Sequence, residues 1–129
     1  MRWAKFKLVL TGLLWASALL GGQAFSRQEV ADRTQATMNR AELPRQGLET
    51  YDRIFQGGPF PYDKDGSVFG NRERLLPPNT RGYYREYTVK TPSSRNRGTR
   101  RIICGGQPKQ PDACYYTADH YASFRKIVP

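Results

Sequence analysis

The strongest constraint on the fold is the stretch from Tyr83 to Lys90, where Tyr83, Arg85, Tyr87 and Val89 alternate with Tyr84, Glu86, Thr88 and Lys90. A period of two puts successive side chains on opposite faces of a strand, so Glu86 shares its face with Tyr84 and Thr88. Thr91-Pro92-Ser93-Ser94 ends the strand with turn chemistry, and Arg95 to Gly98 leads into a second apolar-bearing run, Thr99 to Cys104. The simplest geometry for the two runs is an antiparallel pair joined by a basic loop. It sets one carboxylate, Glu86, on a strand and two arginines, Arg97 and Arg101, just beyond the loop. By themselves these residues describe a solvated surface with a weak ion pair.

A different period precedes this pair. Leu48, Tyr51, Ile54 and Phe55 fall on one face of a helix that opens at Leu43-Pro44 and stops at Gly57-Gly58, and that face is expected to pack on a sheet. Gly57 to Asn71 is dense in Gly, Pro and Asp but carries Phe60, Tyr62, Val68 and Phe69 as anchors, which marks an ordered loop. After Cys104, Gly105 to Ala113 reads as a hairpin-like loop and Cys114 to Thr117 as a third strand. Ala118-Asp119-His120 then reads as a tight turn, and Tyr121 to Val128 as a fourth strand. One helix followed by a four-strand antiparallel meander is an α+β domain.

The ends of the chain bear on compartment. Met1 to Lys7 holds Arg2, Lys5 and Lys7 with no acid, Leu8 to Leu20 is almost wholly apolar, and Gly22-Gln23-Ala24 offers small residues for a peptidase. This is the pattern of a signal peptide over 1–24, and the apolar run is shorter than the roughly 20 residues a spanning helix needs. The expected organisation is therefore a signal peptide at 1–24, a polar lead-in at 25–40 and one domain at 41–129. The mature protein would be secreted, extracellular or periplasmic, with no stable membrane association. Cleavage lowers the formal charge of +10 by three, leaving a strongly basic domain suited to a polyanion.

Cys104 and Cys114 suit an exported chain that closes one disulfide, although Cys104 beside Ile102 and Ile103 also reads as a buried core thiol. With two cysteines and one histidine, a structural zinc site of the usual four-ligand kind is not available. No metal and no cofactor are expected.

His120, the only histidine, sits at a turn that a meander can bring near Glu86 and the arginines. That set suits cleavage of a phosphodiester by a neighbouring hydroxyl: a carboxylate takes the 2′-hydroxyl proton, an imidazolium protonates the departing 5′-oxygen, and guanidinium groups hold the phosphate. Such a reaction requires RNA. A second constellation is Phe69, Asn71 and Glu73. A loop carboxylate beside free amides and an aromatic plane can read a guanine edge while the ring stacks. The alternatives are a core aromatic at Phe69 and an ion pair of Glu73 with Arg72 or Arg74.

Several stretches carry a family likeness: GPFPY at Gly58 to Tyr62, DG at Asp65-Gly66, VFGNRE at Val68 to Glu73, and GYYREYTV at Gly82 to Val89. They continue with TP at Thr91-Pro92, RGTRRIICG at Arg97 to Gly105 and YYTADHYASF at Tyr115 to Phe124. Together they resemble the small secreted microbial guanyl-preferring ribonucleases, the barnase-like group, and within it the actinomycete guanyl-specific enzymes. The resemblance implies a helix on a four- to five-stranded antiparallel sheet, with Glu86 as general base, His120 as general acid, and Arg97 and Arg101 on the phosphate. It implies that Tyr121 lines the phosphate site and that Phe69, Asn71, Arg72 and Glu73 form the guanine-reading loop. Gly70 departs from the side-chain amide common in near relatives, which loosens the expected base preference, and Arg85 beside the base is a variable position expected to shift the pH optimum.

The function implied is a monomeric, metal-independent endoribonuclease that cleaves after guanosine through a 2′,3′-cyclic phosphate, with a barstar-like acidic inhibitor as a further partner. The other readings are a cationic RNA-binding module without turnover and an antibacterial ribonuclease toxin.

Overall fold

The computed structural model describes residues 35–129. The expected signal peptide and most of the lead-in lie outside them. Among the described residues no helix is long and apolar enough to cross a membrane.

The elements run β1 (Thr37–Asn39), α1 (Arg45–Gln56), β2 (Ser67–Val68), β3 (Tyr84–Thr88), β4 (Arg101–Gln107), β5 (Gln110–Thr117) and β6 (Arg125–Val128). They form one sheet in the order β1-β6-β5-β4-β3-β2. All pairs are antiparallel except β1 with β6. The class is α+β as expected, but with six strands rather than four or five. The two extra strands are the edges, three and two residues long, too short to show a period in sequence.

Three expectations are corrected. Thr37–Asn39, read as the end of a tether, is strand β1, anchored by Met38, which is buried in the core. The stretch Gly105 to Ala113, read as loop, is mostly strand: β4 and β5 continue to Gln107 and Gln110 across a bulge between Gly105 and Gly106. Gly106 holds φ 101°, a conformation glycine adopts without penalty, so the bulge keeps pairing where the sequence suggested a break. The last strand begins at Arg125 and not at Tyr121.

Helix α1 buries Gly47, Thr50 and Ile54, one face at helical spacing, with Leu48 and Tyr51 packed beside them. Phe55 is 42% exposed and stacks on Tyr51 at 4.9 Å instead of entering the core as expected. The helix ends at Gly57, whose φ of 83° lets its N–H and that of Gly58 turn back to the Ile54 and Arg53 carbonyls.

The sheet buries both faces. On the helix side Tyr87, Val89, Ile102, Cys104, Cys114 and Ile127 pack with Ile54 and Leu43. Cys104 and Cys114 stand directly opposite in the β4–β5 register and are joined by a disulfide. On the other side Tyr84, Ile103 and Tyr115 form a smaller cluster with Leu76 and Phe124. Alternation along β3 puts Glu86 on this second face, paired in register with Ile103 of β4 and Ser67 of β2.

Candidate active site

The centre of the second face is Glu86. One of its oxygens accepts a hydrogen bond from the Tyr121 hydroxyl. The other, Oε1, lies 3.4 Å from an Arg97 nitrogen and 3.3 Å from the Ser67 hydroxyl. With side-chain exposures of 13% for Glu86 and 24% for Arg97, this ion pair is shielded from bulk solvent more than a surface pair would be. Arg97 also donates from Nε to the Thr88 hydroxyl at 3.0 Å.

Arg101 is 2% exposed. Its NH1 donates to the carbonyls of Arg100 at 2.7 Å and Arg97 at 3.3 Å, while its buried Nε has no partner. The guanidinium lies 5.9 Å from the centre of the Tyr121 ring. A buried cation with an unmet donor among the described residues is unusual.

His120 and Tyr121 occupy the β5–β6 connection with φ values of 52° and 72°, a region that non-glycine residues rarely enter. The connection is over-determined. Thr117 Oγ1 donates to Asp119 at 2.8 Å and accepts from the Tyr121 N–H at 3.2 Å, and the His120 N–H reaches the Thr99 carbonyl at 3.0 Å. Hydrogen bonds from Ser123 and Thr117 hold the Asp119 carboxyl below its usual range. Two adjacent residues in this strained region cost on the order of 1–3 kcal/mol each, and such strain clusters where side chains must be aimed. Here it sets the exposed His120 imidazole against the Tyr121 ring, centroids 4.8 Å apart, with the Tyr121 hydroxyl on Glu86. Burial, and then the Glu86 carboxylate, raise the Tyr121 pKa, so its hydroxyl remains a donor through neutral pH.

Beside this cluster lies a cavity of about 270 Å³ lined by Phe69, Gly70, Arg72, Glu73, Leu75 and Tyr121, with Asn71 and Phe124 at its wall. Phe69 is held by its N–H on the Tyr84 carbonyl and stacks on Tyr121 at 5.3 Å, so the cavity and the Glu86 cluster share a wall.

Asn71 lines the cavity and also closes its own loop. Its side chain closes on Leu76, donating to the carbonyl at 2.9 Å and accepting from the N–H at 3.1 Å. Its φ of 48° is one that Asn tolerates better than most residues. It therefore shapes the loop that lines the cavity. Glu73 is exposed at the rim and forms no ion pair with Arg72 or Arg74.

Ser67, Thr88, Leu75 and Phe124 were not singled out from sequence as site residues. The strand period put Thr88 on the Glu86 face. The register that sets Ser67 beside Glu86 left no trace in the sequence. Among the described residues no group of three or more His, Cys, Asp or Glu side chains is placed to share a metal ion.

Residues 26–128 match the family model for ribonuclease. The chain belongs to the ribonuclease family. It is 60% identical over 85 residues to guanyl-specific ribonuclease Sa3 of Kitasatospora aureofaciens, covering 66% of this chain and 58% of that one. Against guanyl-specific ribonuclease St of Saccharopolyspora erythraea it is 52% identical over 88 residues, covering 68% and 83%. The chain thus spans less than two thirds of Sa3 but most of St. The fold matches ribonuclease Sa2 in complex with mononucleotides at a TM-score of 0.69 and 46% identity, covering 74% of this chain and 95% of that one. Ribonuclease Sa2 with guanosine-2′-cyclophosphate gives 0.67 at 45% identity, covering 74% and 97%.

Proposed function

We propose that the protein is a secreted, metal-independent endoribonuclease that cleaves single-stranded RNA after guanosine. The observation that carries this reading is the cluster of Glu86, Arg97, Arg101 and Tyr121 beside the Phe69 cavity, with the His120 ring against Tyr121. The relatives support it, since they are named guanyl-specific ribonucleases and a neighbour holds a guanosine cyclic phosphate.

In the first step Glu86 takes the 2′-hydroxyl proton, the freed oxygen attacks phosphorus, and the protonated His120 gives its proton to the departing 5′-oxygen. Charge building on the phosphate oxygens is met by Arg97, by Arg101 and by the Tyr121 hydroxyl. A carboxylate, an imidazole and guanidinium groups supply acid, base and charge stabilisation, which is why no metal is invoked. In the second step the two groups exchange roles and water opens the 2′,3′-cyclic phosphate to the 3′-phosphate.

Guanine would enter the cavity against Phe69, with its N1–H and amino group directed to Glu73 at the rim. Gly70 leaves that wall open, so discrimination rests on Glu73 and backbone groups, with a looser preference than a side-chain amide there would give. Secretion rests on the N-terminal sequence pattern and would show as a mature protein beginning at Phe25. The cationic mouth also suits an acidic inhibitor of the barstar kind, for which competition with RNA is the test.

The deciding experiment incubates the mature protein with a defined RNA in excess chelator. Fragments ending in guanosine 2′,3′-cyclic phosphate are expected. Intact RNA between mild acid and neutrality would refute the reading, and salt-sensitive binding without cleavage would support the binding-module alternative.

A further inference from the structure

We propose that Thr88 is a positioning residue that fixes the guanidinium of Arg97 independently of the charge on Glu86. The proposal rests on the ribonuclease reading and deepens it. Thr88 is 3% exposed, and each of its polar groups has one partner, each from a different part of the chain. Its N–H donates to Asp65 Oδ1 at 2.7 Å, from the loop before β2. Its carbonyl accepts from the Thr50 hydroxyl at 3.1 Å, from the buried face of α1. Its hydroxyl accepts from Arg97 Nε at 3.0 Å. The helix and the loop therefore lock the backbone that carries the one neutral side-chain contact to Arg97.

The need for such an anchor follows from where Arg97 sits and what its other partner does. Arg97 lies in the connection between β3 and β4, on a long side chain with many rotamers to lose. Its second contact, to Glu86 at 3.4 Å, is electrostatic. As Glu86 takes up the 2′-hydroxyl proton its carboxylate loses charge, and that hold on Arg97 weakens at the moment the phosphate gains negative charge. The Thr88 hydroxyl carries no charge and its hold does not change. Because the guanidinium is a rigid planar fork, fixing Nε orients the remaining N–H groups toward the phosphate.

Thr88→Val tests this, since it removes only the hydroxyl: the shape is kept, and both the Asp65 and Thr50 bonds are to the backbone. On the dinucleotide GpC the variant is expected to lose between about tenfold and a hundredfold in kcat with KM within about twofold, the pattern of misplaced transition-state contacts. Thr88→Ser, which restores the hydroxyl, should recover most of the loss. In an Arg97→Ala background Thr88→Val should have almost no further effect on kcat, because the two residues act as one unit. Unchanged kcat in Thr88→Val, or the same fractional loss with and without Arg97, would overturn the proposal. Thermal melts of each variant separate loss of fold from loss of positioning, and Thr88→Ser keeps the test decisive if valine destabilises the strand. Failure of the unaltered protein to cleave GpC would count against the ribonuclease reading itself, whereas equal loss in both backgrounds counts only against Thr88.

Discussion

Glu86 is held by Tyr121 and Arg97, with the Ser67 hydroxyl, which donates to the Lys64 carbonyl at 2.6 Å, lying 3.3 Å away. The Arg97 pair gains little stability where it is partly exposed, but it keeps the carboxylate oriented. Glu86→Gln, which removes the proposed base, preserves shape and is expected to lower kcat by roughly two to four orders of magnitude, the worth of general acid–base catalysis. His120→Ala should do the same for transphosphorylation while thermal stability hardly changes, since the imidazole is exposed. Steady-state cleavage of GpC with a melt on each variant checks both. Tyr121→Phe is a milder case: it keeps the ring that stacks on Phe69 but removes the donor that Glu86 accepts from and that is proposed to meet the phosphate. A loss of about tenfold to a hundredfold in kcat, with guanine preference intact, is expected and is read by comparing GpC with ApC.

At the scale of elements, the site depends on loops that regular structure pins from below. Asp65 accepts from the N–H of Thr88 at 2.7 Å with Oδ1 and from that of Tyr62 at 3.3 Å with Oδ2, joining the loop after α1 to the end of β3. Asp65→Ala leaves the buried Thr88 N–H unpaired and should destabilise by about 1–3 kcal/mol, measurable as a lower denaturant midpoint at constant slope. The β3–β4 connection is tightened in another way. Gly98 holds φ 64°, and a Cβ there would come within 2.4 Å of Thr91 Oγ1, so the turn that delivers Arg97 and Arg101 tolerates no side chain at that position. The sequence showed β3, the start of β4 and the helix because their periods of 2 and 3.6 run long enough to register. Strands β1 and β2 did not show because three and two residues cannot carry a period, and the inner end of the β4–β5 hairpin was masked by the Gly-Pro composition of its bulge. Asn71 was legible as a loop residue. Its role as a clasp on Leu76 was not, because hydrogen-bond direction is a property of the folded loop.

At the scale of the molecule, tyrosine burial ties stability to pH. Burial, then the hydrogen bond to Asp112, pushes Tyr83 from its ordinary value of 10.0 up to about 12, and burial raises Tyr51, Tyr84, Tyr87, Tyr116 and Tyr121 as well. In the unfolded chain these phenols ionise near pH 10, whereas in the fold they stay neutral. The folded state therefore binds more protons above that point, and stability, fully present below pH 10, falls as pH rises through the folded values. Thermal melts at pH 9 and at pH 11.5 should show a clear drop in Tm, accompanied by a further rise in tyrosinate absorbance on unfolding. A flat Tm across that range would contradict the burial described here.

The sequence by itself determined the α+β class, the basic character of the domain, the strand that bears Glu86 and the motifs that mark the family. These are local patterns, or compositions that any fold of the chain must carry. Only the tertiary structure decided that Tyr121 meets Glu86, that Thr88 is locked by Thr50 and Asp65 while it holds Arg97, and that Asn71 clasps its own loop. Those contacts span between 5 and 38 positions of chain. They exist only once strand register and loop path are set by burial on both faces of the sheet, a cooperative outcome that no single segment encodes.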